Sequence, residues 1–372
     1  WHGPATWRLR GADDHPRGVP VTLRFQVERR FTDIRPSPGA ASESVMRRVS
    51  ELRRDPLTHR SGRVAHFAGF KLDAPDLSGA IAASRPGCPF CPERILQVTP
   101  LLPVAVSPEG RIRRGEALVF PNISPYDRHS VVITLTRAHY LAADQFLQPQ
   151  LADGVLAAAE YFSALPRVAR GTHSVLTWNY MSPAGATQVH PHLQAFSTNR
   201  PGSLLEEEVR RSRGFWRRRH HPYWEELAQT EQELGERFVA RARHTVWLTA
   251  FVSRSVISDL LVLFPGVGRL EELPEAAVQE FATGLRSALT ALHEEGVRAF
   301  NLAFYAAPAG ESHPHFWLHV RVSPRLYFNP AIQGSDATSW QHLLDEPFMV
   351  RSPEALAERL HPRLGTALEV QP

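Results

Sequence analysis

Residues 180–194 read YMSPAGATQVHPHLQ, and residues 305–310 return to the same frame as YAAPAG. Each Y-x-x-P-A-G copy follows a helix-like stretch and precedes a His-Pro-His segment, HPHLQAF in one case and HPHFWLHVRV in the other. Before the first copy, Val155, Ala159, Phe162 and Leu165 fall at helical spacing and Pro166 ends the run. Before the second, Val278, Phe281, Leu285, Leu289 and Leu292 do the same, with Gly296 as the stop. Further upstream each copy has two apolar strands, ALVFPN and SVVITLT in the first, HTVWLTAFV and DLLVLFP in the second. Strands, helix, strands, twice over, predict an α+β fold in which each half is an antiparallel sheet with helices packed on it. So long a period means a duplicated domain rather than a solenoid. The expected boundaries are an N-terminal extension over residues 1–45, a first domain over 46–205 and a second over 206–372. Within the extension, VTLRFQVERRF reads as one strand and DIRPSPGAASES as a linker.

The chain has 372 residues, 43% of them hydrophobic and 22% charged, which suits a globular protein with sizeable cores. No run of about 18 apolar residues occurs, so no membrane span is expected. The first residues lack the charged-then-apolar pattern of a signal peptide, and a cytoplasmic location is the expectation. The chain opens on Trp1 rather than Met, which suggests a trimmed leader. Formal net charge is +4, and Lys71 is the one lysine among 42 basic residues. The arginine bias looks first like coding from a GC-rich genome. It also provides many planar forks suited to phosphate.

The segment HPHLQ carries the chemistry. Side chains alternate along a strand, so His190, His192 and Gln194 would share one face while Val189, Pro191, Leu193 and Ala195 face a core. A half-buried strand with a polar outer face is the plain alternative. The two cysteines of the chain are Cys88 and Cys91, in CPFC. A lone C-x-x-C is a redox dithiol or half of a zinc site. A redox pair wants its first cysteine at a helix N-terminus within a thioredoxin-like unit, and the lead-in ASRPG provides no such setting. Zinc is therefore preferred, with histidines available at positions 139 and 190.

These pieces together resemble galactose-1-phosphate uridylyltransferase and its relatives in the histidine-triad superfamily. The matching motifs run from RRDPLT (53–58) through CPFC, VFPN (119–122), RHSVVITLTRAH (128–139) and WNYMSPAGATQVHPHLQ (178–194), and continue to about residue 360. The resemblance implies tandem histidine-triad-like domains, the second degenerate. It makes His192 the nucleophile toward the α-phosphorus of a nucleoside diphosphate sugar, with a covalent nucleotidyl-imidazole and ping-pong transfer to a sugar 1-phosphate or to inorganic phosphate. A backbone carbonyl near His190 would hold the other ring nitrogen protonated. Gln194 stands where the hydrolase branch has a third histidine, and it would donate to a phosphoryl oxygen, favouring transfer over hydrolysis. Asn179, Gly185 and Thr187 fall at positions near the phosphates and Asn122 at one near the nucleoside. For each of these the alternative is an ordinary loop hydrogen bond. One structural Zn²⁺ per chain would be held by Cys88, Cys91, His139 and His190. His129 competes for the third place, but the family ligand follows the strand SVVITLT and so matches His139.

Several positions depart from the family. Its basic phosphate-binding segment is replaced by HRSGRVAHFAGFK, leaving Arg63 and Lys71 as stand-ins. A second metal site known in some members is not expected, since Tyr305 and Arg321 take two of its places and leave His319 and Glu208. Gln341, His342 and Phe348 match the family's hexose-binding tail poorly. The second half carries Trp317 and His319 where the first is expected to have His192 and Gln194, so it would supply substrate contacts or a dimer surface; a homodimer is compatible with this. The cluster RRSRGFWRRRHH (210–221) invites a nucleic-acid reading, but flanking LLEEEV and EELAQTEQELGERF favour a solvated helical arm, and nucleic acid is not the expected partner. The non-enzymatic alternative is a nucleotide- or nucleic-acid-binding module on a decayed transferase scaffold, against which the intact HPHLQ argues.

Overall fold

The repetition in the sequence is the plan of the sheet. The computed structural model describes residues 7–10, 23–37, 44–65, 72, 74–165, 172–310, 312–329 and 334–369. The first part of the chain forms β1 (Trp7–Arg10), β2 (Phe25–Ile34), β3 (Met46–Arg54), β4 (Ser61–Ala65), α1 (Ser78–Ser84) and α2 (Ile95–Val98). The first half follows as β5 (Ile112–Arg114), β6 (Ala117–Pro121), β7 (Val131–Thr134), α3 (Gln148–Ala164), β8 (His173–Tyr180) and β9 (His192–Thr198). After α4 (Ser203–Arg219) and α5 (Tyr223–Leu234), the second half repeats the pattern. Its elements are β10 (Phe238–Arg241), β11 (Val246–Thr249), β12 (Leu260–Leu263), α6 (Glu275–Glu294), β13 (Ala299–Tyr305) and β14 (His319–Arg325). The tail contains β15 (Tyr327–Asn329), β16 (Gly334–Ser335), α7 (Ser339–Leu343), β17 (Phe348–Met349) and α8 (Pro353–Glu369).

Ten strands join in one antiparallel sheet ordered β10-β11-β12-β14-β13-β8-β9-β7-β6-β5. Outward from the seam between β8 and β13, the two halves have the same strand order, which is the expected duplication fused into a single α+β layer. At the seam Tyr180 faces Phe300 and Asn179 faces Asn301 in register. The Tyr180 and Phe300 rings stack at 4.8 Å, and Trp178 meets Phe300 edge-on at 4.8 Å. Each such aromatic pair adds about 0.5–1.5 kcal/mol beyond its buried area, so the junction of the halves is a packed core.

Alternation then divides the sheet into two faces. Leu176, Trp178 and Tyr180 are buried with Leu193 of β9, Val155 and Phe162 of α3, Phe281 and Leu285 of α6, and Leu360 of α8. Gly154 permits the closest approach of α3, because a Cβ there would lie 2.1 Å from Leu135 Cδ2 and 3.3 Å from Leu193 Cδ1. The opposite face differs between halves. In the second half Phe25 of β2, Leu205 of α4 and Trp224 of α5 cover Val246, Leu248, Leu261 and Leu263. In the first half a smaller cluster of Ile95, Leu118, Phe120 and Val132, with Phe90 against it, leaves Thr177, Asn179 and Gln194 half-buried. That uncovered strip is the candidate site.

A second sheet, β1-β2-β3-β4-β17, holds the N-terminal strands, with β17 parallel to β4. The strand expected in the extension is β2. Its long pairing with β3, Val27 opposite Arg53 through Ile34 opposite Met46, crosses the boundary drawn between residues 45 and 46. The arginine-rich cluster lies on the expected helical arm, with Glu207 3.2 Å from Arg211 and 3.0 Å from Arg60. Among the described residues, no helix is long and apolar enough to cross a membrane.

Candidate active site

The two cysteines and two histidines selected from the sequence come together. Ligand atoms of Cys88, Cys91, His139 and His190 all lie within 4.8 Å of one another, and all four residues are buried. Cys91 Sγ is 3.4 Å from His139 Nδ1 and 3.8 Å from His190 Nδ1, and Cys88 Sγ is 3.8 Å from His190 Nδ1. A tetrahedral ion with bonds of about 2.3 Å to sulfur and 2.0–2.1 Å to nitrogen sets an S···N edge of about 3.6 Å, so the spacing fits.

The protonation states fit as well. His190 Nε2 faces the Thr136 carbonyl at 2.9 Å. A carbonyl only accepts, so Nε2 carries the proton and Nδ1 turns its lone pair to the cysteines. Ser84 Oγ donates to the Ile81 carbonyl at 2.8 Å and therefore accepts from His139 Nε2 at 3.0 Å. Both imidazoles are thus held in the tautomer that a metal requires. Burial first, then the neighbouring Cys88, pushes the Cys91 thiol up to about 11. Burial likewise pushes His190 down to about 4, against the hydrogen bond to Thr136. His129, the competing ligand, lies elsewhere with φ 54° and uses its carbonyl to accept from Tyr161 at 2.9 Å.

His190 precedes β9, and His192 opens it opposite Thr134 of β7. His192 is buried, with Nδ1 2.8 Å from the His190 carbonyl, so Nδ1 is the protonated nitrogen. Burial lowers its pKa and the His190 hydrogen bond opposes that, leaving a net fall. The ring is therefore neutral near pH 7 and presents Nε2 as a lone pair with no partner among the described residues. The Phe90 ring packs 5.2 Å from it, edge-on.

Gln194 lies one pleat further along the same face. Asn179 Nδ2 approaches its Oε1 at 3.5 Å, a long hydrogen bond. Two residues the sequence reading passed over stand behind this pair. Asn301, across the seam, donates from Nδ2 to Asn179 Oδ1 at 2.7 Å and to the Ala184 carbonyl at 2.8 Å. Arg325 Nη1 donates to Asn301 Oδ1 at 2.9 Å, and Nη2 of the same guanidinium pairs with buried Asp336 at 2.6 Å. Neither has a motif, and only the β8–β13 pairing could have disclosed them.

Gly185 has φ +83°, a left-handed conformation that suits glycine, in the turn between β8 and His190. Thr187 is exposed in that turn. Asn122 lies past β6, where its Oδ1 accepts from Ser124 N at 2.9 Å, as a loop residue does. Arg63 is turned away, 3.2 Å from Glu346 and over the Trp340 ring at 5.1 Å. Gln341 caps α7 by accepting from Thr338. Lys71 lies outside the described residues.

The second half corrects one expectation. His319, not Trp317, stands in the register position of His192, opposite Leu263 as His192 is opposite Thr134. Its Nδ1 is 3.0 Å from the Trp317 carbonyl, which reproduces the His192–His190 contact. Arg321 opposite Ala303 takes the place of Gln194 opposite Thr177. The second His-Pro-His lies in the turn before the strand, so aligning the PAG frames places this strand two residues out. His319 is closed in, with Trp224 at 4.1 Å, Tyr305 stacked at 4.8 Å and Glu208 3.3 Å from Nε2. Burial raises the Glu208 carboxyl, but His319 and Arg321 more than offset it and keep it ionised. Arg321, a permanent cation, serves both Glu208 at 3.4 Å and Asp259 at 3.8 Å.

No protein-family model matches the chain. An uncharacterized protein of Archaeoglobus fulgidus is 28% identical over 292 residues, spanning 75% of this chain and 82% of its own. A solved GalT-like protein from Arabidopsis thaliana has a TM-score of 0.65 at 14% identity, over 84% of this chain and 98% of its own. An ADP-glucose phosphorylase from the same organism, with bound ADP-glucose, has a TM-score of 0.64 at 14% identity over the same 84% and 98%. A uridylyltransferase has 0.60 at 17% identity, again over 84% and 98%. The chain therefore has the fold of the galactose-1-phosphate uridylyltransferase-like proteins.

Proposed function

We propose that the protein is a nucleotidyltransferase that takes a nucleoside diphosphate sugar and passes its nucleotide to a phosphate-bearing acceptor, a sugar 1-phosphate in the first instance. The observation that carries this reading is the neutral, buried His192 with its Nδ1 proton committed to the His190 carbonyl and Nε2 left without a partner among the described residues. The lone pair of Nε2 attacks the α-phosphorus. The bond to the bridging oxygen breaks, and sugar 1-phosphate departs as an anion with that bond's electrons. In the return step an acceptor phosphate oxygen attacks the same phosphorus and the N–P bond breaks, restoring the neutral ring. Nδ1 keeps its proton throughout. A phosphate monoester leaves without protonation, so Gln194 in place of an acid is sufficient, and its role is to donate to a phosphoryl oxygen.

Asn179, Gly185 and Thr187 would line the phosphates and Asn122 the nucleoside; Lys71 is assigned to the phosphates by resemblance alone. Cys88, Cys91, His139 and His190 would hold one zinc ion. With four protein ligands such a site is closed, so it would brace the entry to β9 and stay out of the reaction. Inorganic phosphate as acceptor is the second reading, favoured by the ADP-glucose phosphorylase among structures of this fold.

The test exposes the protein to a panel of nucleoside diphosphate sugars and seeks an added nucleoside monophosphate by mass spectrometry. The label should lie on the peptide carrying residues 185–197, and His192→Gly should abolish it while metal content and fold persist. A label on another peptide, or one surviving in His192→Gly, would sink the assignment. Discharge of labelled enzyme by sugar 1-phosphate or by inorganic phosphate then separates the two acceptors.

A further inference from the structure

We infer that the second half fixes which end of the Gln194 carboxamide meets the substrate, through a one-way series of hydrogen bonds running Asp336, Arg325, Asn301, Asn179, Gln194. The inference rests on the reading that Gln194 serves a phosphoryl oxygen.

The series has a polarity that chemistry imposes. Asp336 is almost wholly buried and holds Arg325 through both carboxylate oxygens, Nε at 3.0 Å to each and Nη2 at 2.6 Å to one. A guanidinium only donates. Asn301 must therefore turn Oδ1 to Arg325 Nη1, 2.9 Å away. The Ala184 carbonyl only accepts, and at 2.8 Å it independently requires the Asn301 amino group on its own side. Asn301 is thus fixed from both ends, and its second amino hydrogen goes to Asn179 Oδ1 at 2.7 Å. Asn179 has no choice left, since its Oδ1 is taken and its amino group faces Gln194 Oε1. Gln194 is left with its own amino group uncommitted among the described residues. A phosphoryl oxygen accepts only, so this is the end it requires.

An isolated Gln at this position would offer oxygen and amino ends in near-equal measure, and the oxygen end would repel the phosphoryl group. The series removes that ambiguity before substrate arrives, which is electrostatic preorganisation. It also gives the sealed second half a task in the first half's chemistry. Asn301 and Arg325 are positioning residues, because neither reaches the reacting atoms. The contact of Asn301 with Ala184 ties the turn that carries Gly185 and Thr187 to the same anchor.

Two substitutions at one position separate polarity from packing. Asn301→Asp is isosteric and gains an ion pair with Arg325, yet offers only acceptors. Asn179 must then turn its amino group to the introduced carboxylate and its oxygen to Gln194, which reverses the last amide. Asn301→Ala deletes the link without reversing it. The inference expects Asn301→Asp to slow single-turnover nucleotidylation of His192 on the order of 10²-fold, as loss of one preorganised donor does. Both substitutions lose the bond to the Ala184 carbonyl, and in Asn301→Asp a carboxylate oxygen faces it, so each loses some stability. The rate of Asn301→Asp should fall further than its stability and nucleotide-sugar affinity account for, with Asn301→Ala losing less rate than Asn301→Asp. A purely structural role makes the rate losses follow the stability losses, and rates of the two variants that track their stabilities, or a rate of Asn301→Ala as low as that of Asn301→Asp, would overturn the inference. Neutron diffraction on the wild-type protein reads the amide hydrogens directly and needs no turnover. Amino hydrogens of Asn179 on the Asn301 side would overturn the inference; on the Gln194 side they support it. Failure of the wild type to label with any donor would instead remove the proposed function.

Discussion

Ser84→Ala isolates one hydrogen bond on which the proposed metal site depends. Ser84 Oγ spends its proton on the Ile81 carbonyl and so faces His139 Nε2 as an acceptor at 3.0 Å. Without it the Nε2 proton has no partner among the described residues, and the ring is free to turn or to carry its proton on Nδ1, the nitrogen 3.4 Å from Cys91 Sγ. Loss of such an outer contact to a ligating imidazole costs about 10–100-fold in metal affinity, roughly 1.4–2.8 kcal/mol. Ser84 is half-buried on a short helix where water can partly replace the hydroxyl, which favours the tenfold end of that range. Cys91→Ser removes a ligand instead. Spread over four ligands, the roughly 10–16 kcal/mol of a structural zinc site gives about 2.5–4 kcal/mol each, on the order of 10²-fold or more. Competition for zinc against a chromogenic chelator at fixed pH measures both. Ser78→Ala is the control, because Ser78 opens the same helix and its backbone amide bonds Asp76 instead. Wild-type affinity in Ser84→Ala would refute the tautomer argument. Equal losses in Ser84→Ala and Ser78→Ala would assign the effect to α1 and not to the imidazole.

Gln194→His places an imidazole beside the phosphoryl group that can take the proton of an attacking water, so the nucleotidylated enzyme should hydrolyse faster without an acceptor, followed as loss of label with time; an unchanged lifetime would count against the role given to Gln194. Glu354 tests the pH dependence of folding. Burial raises its carboxyl, but bidentate Arg53 at 2.8 and 3.0 Å and Arg237 at 2.9 Å outweigh this and hold it at about 2, against an ordinary 4.5. A depressed folded-state pKa stabilises fully above pH 4.5 and loses that contribution as pH falls toward 2. The contribution is at most roughly 3 kcal/mol. Urea unfolding of Glu354→Gln should therefore be less stable near neutrality and show a shallower acid limb across that window. Parallel acid limbs in the two proteins would show that the arginines do not act through this carboxylate.

Much of the candidate site was legible in the sequence because its signals are local. Cys88 and Cys91 are the chain's two cysteines and sit at ligand spacing, and His139 follows the strand SVVITLT and lies with them. The helices announced by Val155 to Leu165 and by Val278 to Leu292 formed as α3 and α6, since apolar periodicity and a terminal Pro or Gly are enough to set a helix. The repeated PAG frame gave the duplication, and with it the α+β class. Tertiary structure alone decided how the strands line up. Alternation along a strand has a period of two, so a slide of two residues leaves every side chain on its own face and cannot be seen in the pattern. That is why Trp317 stood in for His319 until the pairing with Leu263 fixed the register. The same holds for Asn301, whose position opposite Asn179 depends on a seam between strands that lie far apart in the chain. Hydrogen bonds between such strands are set by the packing of Tyr180 on Phe300 beneath them, and no short stretch of sequence carries that information.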